Sequence, residues 1–364
     1  MERLRVGVIG CGTIFKKHLA VINSIKELGL IALSDLNTSL FEKFNRERPE
    51  LKCYKDYIEM VNNEKLDIVC ILTPSGTHSE IGINVSPYVR NLIIEKPLAL
   101  TLKDADDLIR VCDKNSTRIF VVKQNRFNKP VLALRRAIES GRFGKLVLGT
   151  VRVRWCRRDD YYKSASWRGT WAMDGGVITN QAAHHIDLLG WLMGDVLSVK
   201  AYTTTRLAPI ECEDTGVAIL RFENGALGVI EATTATRPKD IEGSLSILGE
   251  RGSVEIGGFA TDNLKIWQFE KEEEEDEIVF KEWGKNPDEF AYNHKQFYLN
   301  ILSSIKDNRK ALIDGIEARK SLELINTIYE SAESGKEVFL KFKSIYSKLG
   351  KKKDNERCKM QETR

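Results

Sequence analysis

A lysine follows an apolar segment at a position where enzymes often place a reactive group. Lys96 lies in the tripeptide Glu95-Lys96-Pro97, directly after the apolar run 91–94. Such a run is typical of a strand that is buried on both faces of a parallel sheet. Ligands bind in the crevice at the carboxyl ends of such strands, so the pattern predicts a cation that could stabilise negative charge on a ligand. A lysine that only ends the strand at the surface fits this local pattern equally well.

Two adjacent histidines form a second candidate. His184 and His185 are two of the five histidines in the chain, and Asn180 lies four residues before His184. A helix through 180–189 would present Asn180 and His184 on the same face. Histidine titrates near neutral pH and is the commonest general acid or base, so we expect His184 to act as a base. A buried histidine with satisfied hydrogen bonds is the alternative interpretation.

A glycine-rich turn near the N-terminus predicts a dinucleotide site. Gly10 and Gly12 follow the apolar run 4–9, and Thr13 and Ile14 open the helix that comes next. Glycines at such a turn let the backbone approach a pyrophosphate, and the helix N-terminus supplies free N–H groups. Phe15 replaces the third glycine of the usual motif, so the helix must pack on the strand differently there. A glycine turn without a nucleotide is the alternative.

The choice of dinucleotide depends on Asp35, which ends the second predicted strand. Its carboxylate would accept hydrogen bonds from the adenosine ribose, and its negative charge would repel a 2′-phosphate. The sequence therefore predicts NAD rather than NADP. Thr73 and Pro74 follow the buried strand 66–72 and would form a wall of the same crevice. His78 lies just beyond them, where a capping or surface role is as consistent with the sequence as a cofactor contact.

The order of predicted elements indicates two folding units. Through about residue 122, apolar strands alternate with helical patterns, and the first helix is predicted over 14–28 with Gly29 as its C-cap. Such alternation predicts an α/β fold with a parallel, doubly wound Rossmann sheet. After residue 127 most strands follow one another without helices, and Asn224-Gly225 is typical of a hairpin turn. The second unit should therefore be an α+β domain with a large, mostly antiparallel open sheet.

These patterns divide the chain into three segments. We expect residues 1–124 to form a NAD-binding Rossmann domain and 125–340 to form an α+β domain for substrate binding and oligomerisation. Residues 341–364 form a basic tail that we expect to be flexible. An open sheet face in the second domain favours self-association into a homo-oligomer, either a dimer or a tetramer.

Composition argues against several classes of protein. The chain has 364 residues, with 56 basic and 52 acidic side chains and a net charge of +4. A balance this even argues against a nucleic-acid partner. The seven cysteines are scattered without a CxxC pair, so we expect neither a disulfide framework nor a metal site. No stretch reaches membrane-spanning length and no signal-peptide pattern is present, so we expect no membrane partner and a cytoplasmic location.

Taken together, these motifs resemble the Gfo/Idh/MocA oxidoreductase family. The resemblance depends on the glycine loop, on the Glu-Lys-Pro tripeptide and on a polar residue four before a histidine, and it extends over nearly the whole chain except the tail. It implies a Rossmann domain followed by a domain with a large open sheet, Lys96 as the active-site lysine and His184 as the catalytic histidine. The family often has aspartate where this chain has Asn180. Asparagine cannot relay a proton, but it can still orient the ring or the sugar.

Further segments narrow this resemblance. Four of them, 123–127, 161–163, 167–171 and 179–181, are similar to a subfamily of bacterial UDP-N-acetyl-2-amino-2-deoxyglucuronate dehydrogenases. The resemblance implies NAD-dependent oxidation of the C3 hydroxyl of UDP-N-acetylglucosaminuronic acid (UDP-GlcNAcA) to a 3-keto sugar for surface polysaccharide. It also implies that 2-oxoglutarate could reoxidise the cofactor. Another sugar or cyclitol dehydrogenase of the family, and a non-catalytic dinucleotide-binding sensor, are the alternatives.

The residue patterns and the resemblance together assign three roles. The catalytic residues are Lys96 and His184. The cofactor-binding residues are Gly10, Gly12, Thr13, Ile14, Asp35, Thr73, Pro74, His78, Glu95, Lys96 and Gln124. The substrate-binding residues are Lys96, Arg126, Tyr161, Lys163, Trp167, Arg168, Asn180 and His184.

Residues 152–168 also suit such a substrate on chemical grounds. Arginine and lysine are interleaved there with tryptophan and tyrosine. A diphosphate and a carboxylate need fork-shaped cationic donors, and uracil and sugar faces need aromatic surfaces. The alternative is a strand whose arginines point outward, beside a hydrophobic cluster.

Overall fold

The first part of the chain forms a parallel sheet with helices packed on it. The computed structural model describes residues 3–340, so the predicted basic tail lies outside the described residues. The six strands are β1 (Leu4–Ile9), β2 (Leu28–Ser34), β3 (Lys52–Tyr54), β4 (Ile68–Ile71), β5 (Asn91–Ile94) and β6 (Arg118–Val121). The helices are α1 (Phe15–Ser24), α2 (Phe41–Glu47), α3 (Tyr57–Asn63), α4 (His78–Val85) and α5 (Leu102–Lys114).

The strand order of this sheet is β3-β2-β1-β4-β5-β6, and every neighbouring pair is parallel. The residues of β4 and β5 are all buried, as expected for strands covered on both faces. The order reverses between β1 and β4. A doubly wound sheet binds its ligand at such a reversal, beyond the carboxyl ends of the strands.

The second part of the chain forms an eight-stranded sheet. Its strands are β7 (Leu146–Arg154), β8 (Val196–Thr204), β9 (Thr215–Phe222), β10 (Leu227–Thr233), β11 (Glu242–Gly249), β12 (Gly252–Gly257), β13 (Asn263–Phe269) and β14 (Val338–Phe339). Its helices are α6 (Lys129–Glu139), α7 (Asp159–Lys163), α8 (Ala183–Met193), α9 (Glu275–Ile278), α10 (Tyr292–Lys306) and α11 (Gly315–Ser334). The strand order is β13-β12-β11-β7-β10-β9-β8-β14, and only β7 and β10 pair in parallel. Both sheets confirm the predicted fold class.

One face of the second sheet is packed and the other is open. Helix α8 lies close on the packed face, where a Cβ added to Gly149 of β7 would come within 2.7 Å of Leu189 and 2.8 Å of Met193. Glycine at this position therefore lets the helix approach the strand. Along β9 the side chains alternate, with Leu220 buried and Ile219 exposed on the opposite face.

The prediction for the first helix was wrong at its C-terminal end. Helix α1 ends at Ser24, and Gly29 lies inside β2, where it pairs with Arg5 of β1. Leu28 and Leu30 are buried as strand residues. The apolar residues after 24 continue the helical spacing by coincidence, because pairing with β1 takes them into the sheet.

Helix α10 packs on the first sheet although it follows the second sheet in the chain. Its residues Phe297, Tyr298 and Ile301 are buried in the same hydrophobic core as Val8 and Ile93 of the parallel sheet. The chain therefore returns to the first sheet after building the second. None of the helices within residues 3–340 combines the length and the apolar character that a membrane crossing needs.

Candidate active site

The glycine turn after β1 has the backbone that a dinucleotide site requires. Gly10 has a φ of +95°, and a Cβ at this residue would lie 2.8 Å from the backbone carbonyl of Leu72. Only glycine combines that conformation with that close approach. Among residues 3–340, no atom apart from those of Gly12 and its chain neighbours lies within 4 Å of a Cβ built at Gly12, so these residues leave space open on that side of the turn. Thr13 is exposed there, and Ile14 lies at the N-terminus of α1.

Asp35 faces this turn from the end of β2. One carboxylate oxygen accepts a hydrogen bond of 2.6 Å from the Cys11 N–H, and the other accepts one of 2.7 Å from the Asn37 N–H. A carboxylate oxygen can accept more than one bond, so both retain capacity for ribose hydroxyls. Phe15 is buried in the place of a third glycine and packs edge-on against Phe44 at 5.6 Å.

Replacing Asp35 by alanine is expected to raise the KM for NAD by roughly 10–100-fold, because hydrogen bonds to a charged group contribute about 1.5–3 kcal/mol. Activity with NADP should rise at the same time, because the repulsion of a 2′-phosphate is gone. Steady-state kinetics with both dinucleotides measures this change. Asp113→Ala is the matched control, since Asp113 is exposed in the last turn of α5; equal KM values for NAD in the wild type and Asp35→Ala would contradict the assignment.

The loop after β4 contacts a segment of the second part of the chain. The hydroxyls of Thr73 and Thr77 lie 2.7 Å apart, and Pro74 lies between them in the sequence. The Gly76 N–H donates to the Met173 carbonyl over 3.0 Å. A Cβ at Gly76 would come within 2.6 Å of the Ala172 carbonyl, so glycine permits this contact. The segment before α8 is thereby held against the end of β4.

His78 has a buried role that its sequence context did not reveal. Its Nδ1 lies 2.7 Å from the Pro97 carbonyl and its Nε2 lies 2.8 Å from the Thr73 carbonyl. The ring therefore joins the loops after β4 and β5, and neither nitrogen is free for a cofactor. Both partners are acceptors, so only the doubly protonated ring could donate to both, whereas burial lowers the pKa of His78.

Lys96 lies at the end of β5 and contacts the segment before α8. Its Nζ donates to the Asn180 carbonyl over 2.9 Å and to Asn180 Oδ1 over 3.3 Å. Asn180 Nδ2 donates to Asp174 Oδ1 over 2.5 Å, which fixes the amide with its oxygen toward the lysine. Burial lowers the pKa of Lys96, while the negative charges of Glu95 and Asp174 act in the opposite direction.

His184 lies close enough to Lys96 for the positive charge of the lysine to act on its ring. Gln124 Nε2 lies 3.2 Å from His184 Nε2, and donation from the amide requires this ring nitrogen to be unprotonated. Burial and the positive charge of Lys96 lower the pKa of His184 to about 3. The ring is therefore neutral at neutral pH, as a base must be before it accepts a proton.

The relation between Asn180 and His184 differs from the prediction. Helix α8 begins at Ala183, so Asn180 lies in the turns before it and not one helical turn away on the same face. The N–H of Asn180 donates to the Gly176 carbonyl over 3.0 Å. Both side chains still reach the crevice, because the compact turns of 174–182 carry Asn180 to Lys96.

Glu95 is buried beside Lys96 rather than open to a cofactor. It is 8% exposed, and its Oε2 accepts from the Lys96 N–H over 3.0 Å while its Oε1 lies 3.0 Å from His18 Nε2. The sequence interpretation missed His18 and Asp174, which both contact residues of the site. For His18 the available signal was a histidine in the helix that follows the glycine turn.

Some of the residues that were predicted to bind the substrate form a cluster around Tyr161. The Arg168 guanidinium donates to the Tyr161 hydroxyl over 2.8 Å, lies over the Tyr161 and Trp167 rings, and its positive charge acts on Lys96. Gln181, which follows Asn180, also donates to the Tyr161 hydroxyl, over 3.2 Å. Arg168 and Gln181 therefore link the cluster to Lys96 and to the segment that carries Asn180. Lys163 is exposed and pairs with Asp159 four residues earlier.

Arg126 does not join this group, although we assigned it to substrate binding. It is 2% exposed and forms ion pairs with Asp187 and Glu317. Its guanidinium also lies over the Trp191 ring, and the residue lines a cavity of about 700 Å³ further along α8. Three of its five N–H donors are used by these carboxylates, and its assignment to substrate binding stays a prediction. Arg154 is likewise paired, with Glu231 and Glu242 on the second sheet, as the alternative interpretation expected.

The residues present fit a bound NAD molecule. The turn at Gly10 and Gly12 leaves open space at the N-terminus of α1, and Asp35 offers acceptors at the end of β2. Gln124 Oε1 is buried and has no hydrogen-bond partner among residues 3–340. An orphaned acceptor of this kind at the crevice suits a ligand amide or hydroxyl.

Comparison with known proteins assigns the family. A model described as "Oxidoreductase family, NAD-binding Rossmann fold" matches residues 4–123, and one described as "Oxidoreductase family, C-terminal alpha/beta domain" matches residues 135–340. The chain belongs to the Gfo/Idh/MocA oxidoreductase family. This confirms the resemblance seen in the motifs.

Solved Gfo/Idh/MocA structures are similar along most of the chain. The WlbA dehydrogenase from Bordetella pertussis, crystallised with NADH and UDP-GlcNAcA, is 36% identical with a TM-score of 0.90, and the match covers 94% of this chain and 99% of that one. The WlbA dehydrogenase from Chromobacterium violaceum, also with NADH and UDP-GlcNAcA, is 35% identical with a TM-score of 0.88, over 94% and 97% of the two chains.

A curated relative is named for its action on a cyclitol. The myo-inositol 2-dehydrogenase of Thermotoga maritima is 27% identical over 341 residues, which are 88% of this chain and 96% of that protein. The protein described here is therefore a NAD-dependent oxidoreductase of the Gfo/Idh/MocA family, a dehydrogenase of sugars or cyclitols.

Proposed function

We propose that this enzyme oxidises the C3 hydroxyl of UDP-GlcNAcA to a ketone with NAD as the acceptor. The observation that carries the proposal is the proximity of Lys96 to His184, whose pKa the positive charge of Lys96 lowers, in a chain that is 36% identical to a dehydrogenase crystallised with UDP-GlcNAcA. Use of the product for surface polysaccharide, a cytoplasmic location and recycling of the cofactor by 2-oxoglutarate are parts of the same proposal.

His184 is the general base in this mechanism. Its neutral ring offers an unprotonated Nε2, and a substrate hydroxyl would replace the Gln124 amide at this nitrogen. NAD, when bound, supplies the acceptor for a hydride. His184 takes the hydroxyl proton as the carbon–hydrogen bond breaks, and general base catalysis of this kind contributes about 10²–10⁴ in rate.

Lys96 stabilises the charge that builds on the reacting oxygen. Its ammonium is held by the Asn180 carbonyl and side chain, and Asp174 in turn holds the Asn180 amide. A donor that is already oriented costs no reorganisation when the oxygen becomes negative. Asn180 therefore acts here by orienting the lysine and not by carrying a proton.

The nucleotide part of the substrate would bind beyond these residues. Arg168 has donors beyond the one used by Tyr161, and Tyr161 and Trp167 supply aromatic surface beside it. We propose that these residues bind the carboxylate or the diphosphate, and that exposed Lys163 contributes long-range attraction.

A substrate panel tests the proposal. With saturating NAD, absorbance of the reduced cofactor is followed with UDP-GlcNAcA, UDP-GlcNAc and myo-inositol, in the presence and absence of 2-oxoglutarate. We expect a kcat/KM at least tenfold higher for UDP-GlcNAcA than for UDP-GlcNAc, since loss of a paired carboxylate costs more than 1.4 kcal/mol. A preference for myo-inositol would favour the second candidate, a cyclitol dehydrogenase, which the Thermotoga maritima relative supports.

The open face of the second sheet supports the proposal of a homo-oligomer. Tyr202, Val217 and Ile219 are 63%, 46% and 58% exposed on neighbouring strands, and Tyr202 pairs directly with Val217. Exposed apolar side chains grouped in this way are typical of an interface. A second copy of the same chain is the occupant that we propose, as a dimer or as a homotetramer.

Replacing Ile219 by glutamate is expected to lower the mass of the particle in solution, because burying an unpaired carboxylate opposes association. A dimer should become a single chain of about 41.4 kDa, and a tetramer should lose the contacts of this face and become a smaller particle. Size-exclusion chromatography with light scattering measures the mass. Phe290→Glu is the control, since Phe290 is 68% exposed but lies outside the sheet. A monomeric wild type, or an unchanged mass in Ile219→Glu, would exclude this interface.

A further inference from the structure

A buried chain of polar groups leads from α1 to the candidate lysine. His18 is 0% exposed, its Nδ1 lies 2.7 Å from the Tyr298 hydroxyl, and its Nε2 lies 3.0 Å from Glu95 Oε1. Glu95 Oε2 accepts from the Lys96 N–H over 3.0 Å. Both nitrogens of His18 and both oxygens of Glu95 are therefore used, and the chain of contacts ends on the residue that carries the ammonium group.

We propose that His18 is a positioning residue for Lys96. It holds Glu95 in the buried geometry that fixes the backbone at Lys96 and keeps a negative charge beside the ammonium group. This inference rests on the role of Lys96 in the proposed function, but not on which sugar is oxidised. His18 itself does not touch the reacting atoms.

The physical basis is the cost of burying a carboxylate. Burial alone raises the pKa of the Glu95 carboxyl, but the hydrogen bond and the field of His18, with smaller effects of His294 and Lys96, lower this pKa to about 2. Without His18 the buried carboxylate would lose its partner, and such a group either takes up a proton or moves toward water. Either change removes negative charge from the neighbourhood of Lys96.

Loss of the negative charge on Glu95 changes the pKa of Lys96 in one direction. Burial lowers the pKa of Lys96, and Glu95 is the foremost of the groups that raise it again, followed by Asp174, while Arg168 lowers it. Loss of the Glu95 charge should therefore lower the pKa of Lys96 further. The ammonium form would be lost at a lower pH, and the alkaline limb of the activity profile would move to lower pH.

His294, Cys70 and Tyr298 also surround His18. The His294 ring lies 5.6 Å from the His18 ring, its Nε2 is buried without a hydrogen-bond partner among residues 3–340, and Lys17 acts on it electrostatically. Cys70 lies 3.3 Å from the Tyr298 hydroxyl. Burial raises the pKa of Cys70 to about 12 and raises the pKa of Tyr298 well above its ordinary value, so neither group carries charge at neutral pH.

A metal ion is the competing explanation of the same cluster. One ligand atom each from His18, Glu95 and His294 lies within 4.8 Å of the others, and two imidazoles with a carboxylate are ligands that divalent transition metals prefer. The direct contact between His18 and Glu95 satisfies both side chains without an ion, and it leaves His294 outside the chain that leads to Lys96. The metal explanation therefore requires His294 as a ligand, whereas the positioning role of His18 does not depend on His294.

The experiment compares His18→Phe with His18→Gln and His294→Phe. Competitive acylation across a range of pH, followed by peptide mass spectrometry, gives the pKa of the Lys96 amine without any substrate. We expect this pKa to fall by about one unit in His18→Phe, as for loss of a nearby opposite charge. His18→Gln keeps a donor toward Glu95 and should recover part of the shift, and His294→Phe should match the wild type.

The pH profile of kcat/KM provides the second readout, with whichever sugar the wild type oxidises. Its alkaline limb should move with the Lys96 pKa in each variant, while the dissociation constant for NADH changes less than threefold. An unchanged Lys96 pKa in folded His18→Phe would overturn the proposal. If that variant does not fold, Glu95→Gln is measured instead, and an unchanged Lys96 pKa there would overturn it equally.

The metal explanation has its own signature. Stoichiometric metal in the purified wild-type protein, measured by plasma mass spectrometry and lost equally in His18→Phe and His294→Phe, would replace our proposal with a metal site. Failure of the wild type to oxidise UDP-GlcNAcA would refute the proposed substrate alone, because the acylation measurement of Lys96 needs no sugar.

Discussion

Replacing His184 by asparagine is expected to lower kcat by about 10²–10⁴-fold, the contribution of a positioned general base. Asparagine keeps a polar side chain beside Gln124 but cannot accept the hydroxyl proton. The dissociation constant for NADH should change less than threefold, since His184 meets the substrate and not the dinucleotide. Stopped-flow absorbance and fluorescence titration measure the two quantities.

His185→Asn is the neighbouring control for this variant. The His185 ring packs edge-on against Trp155 at 5.9 Å, and burial lowers its pKa to about 4. This side chain belongs to the core of the second sheet, so its loss should lower the melting temperature while kcat stays within a few-fold of the wild type. A kcat for His184→Asn near that of the wild type would remove His184 from the mechanism.

Replacing Lys96 by methionine is expected to lower kcat by about 10²–10³-fold, as for the removal of one preorganised donor to a developing oxyanion. A second effect follows from charge. Burial and Lys96 together lower the pKa of His184 to about 3, so removing the ammonium should raise this pKa toward the ordinary value. Because the base is inactive when protonated, the acid limb of kcat/KM should move to higher pH.

A pH profile of kcat/KM from about pH 2.5 to 10, which spans the His184 pKa of about 3 in the wild type, measures both effects in Lys96→Met. Lys103→Met is the control, since Lys103 is exposed on α5 and pairs only with Asp107 among the contacts of residues 3–340. An acid limb at the same pH in Lys96→Met and the wild type would mean that the two groups are not electrostatically coupled.

The parts of the site that depend on local sequence could be predicted. Gly10 and Asp35 follow strands whose apolar runs identify them, and the parallel sheet brings the carboxyl ends of those strands together. Lys96 follows β5 for the same reason. In each case a short segment fixes both the element and the point where it ends, and the sheet then fixes the relative position.

The parts of the site that depend on long-range packing could not be predicted from the sequence. His18 contacts Tyr298, which lies 280 residues away in the chain, and no local pattern connects them. Asn180 was predicted on the helix of His184, but the turns that hold it depend on Glu213, whose carbonyl accepts from the Val177 N–H and whose Oε1 accepts from the Ile178 N–H. The side chain of Glu213 comes from the strand region beyond α8.

Arg126 shows a different limit of sequence reasoning, because its partners within the protein could not be read from the motif. A cation near the end of the first domain could serve a substrate or a buried acid, and the sequence motif does not distinguish them. The structure supplies Asp187 three residues after His184, and this carboxylate binds both Arg126 and Lys123. These buried ion pairs hold α8 in position.

The position of α10 has a consequence for how the molecule unfolds and for how it could be divided. Because Phe297, Tyr298 and Ile301 complete the core beneath the parallel sheet, a polypeptide ending at residue 124 would expose that core to water and would not be an autonomous folding unit. The two halves should unfold in one cooperative transition. Bound dinucleotide should raise the midpoint temperature of that transition for both halves together. A chimera that exchanges the first half with a relative would need to exchange this helix with it.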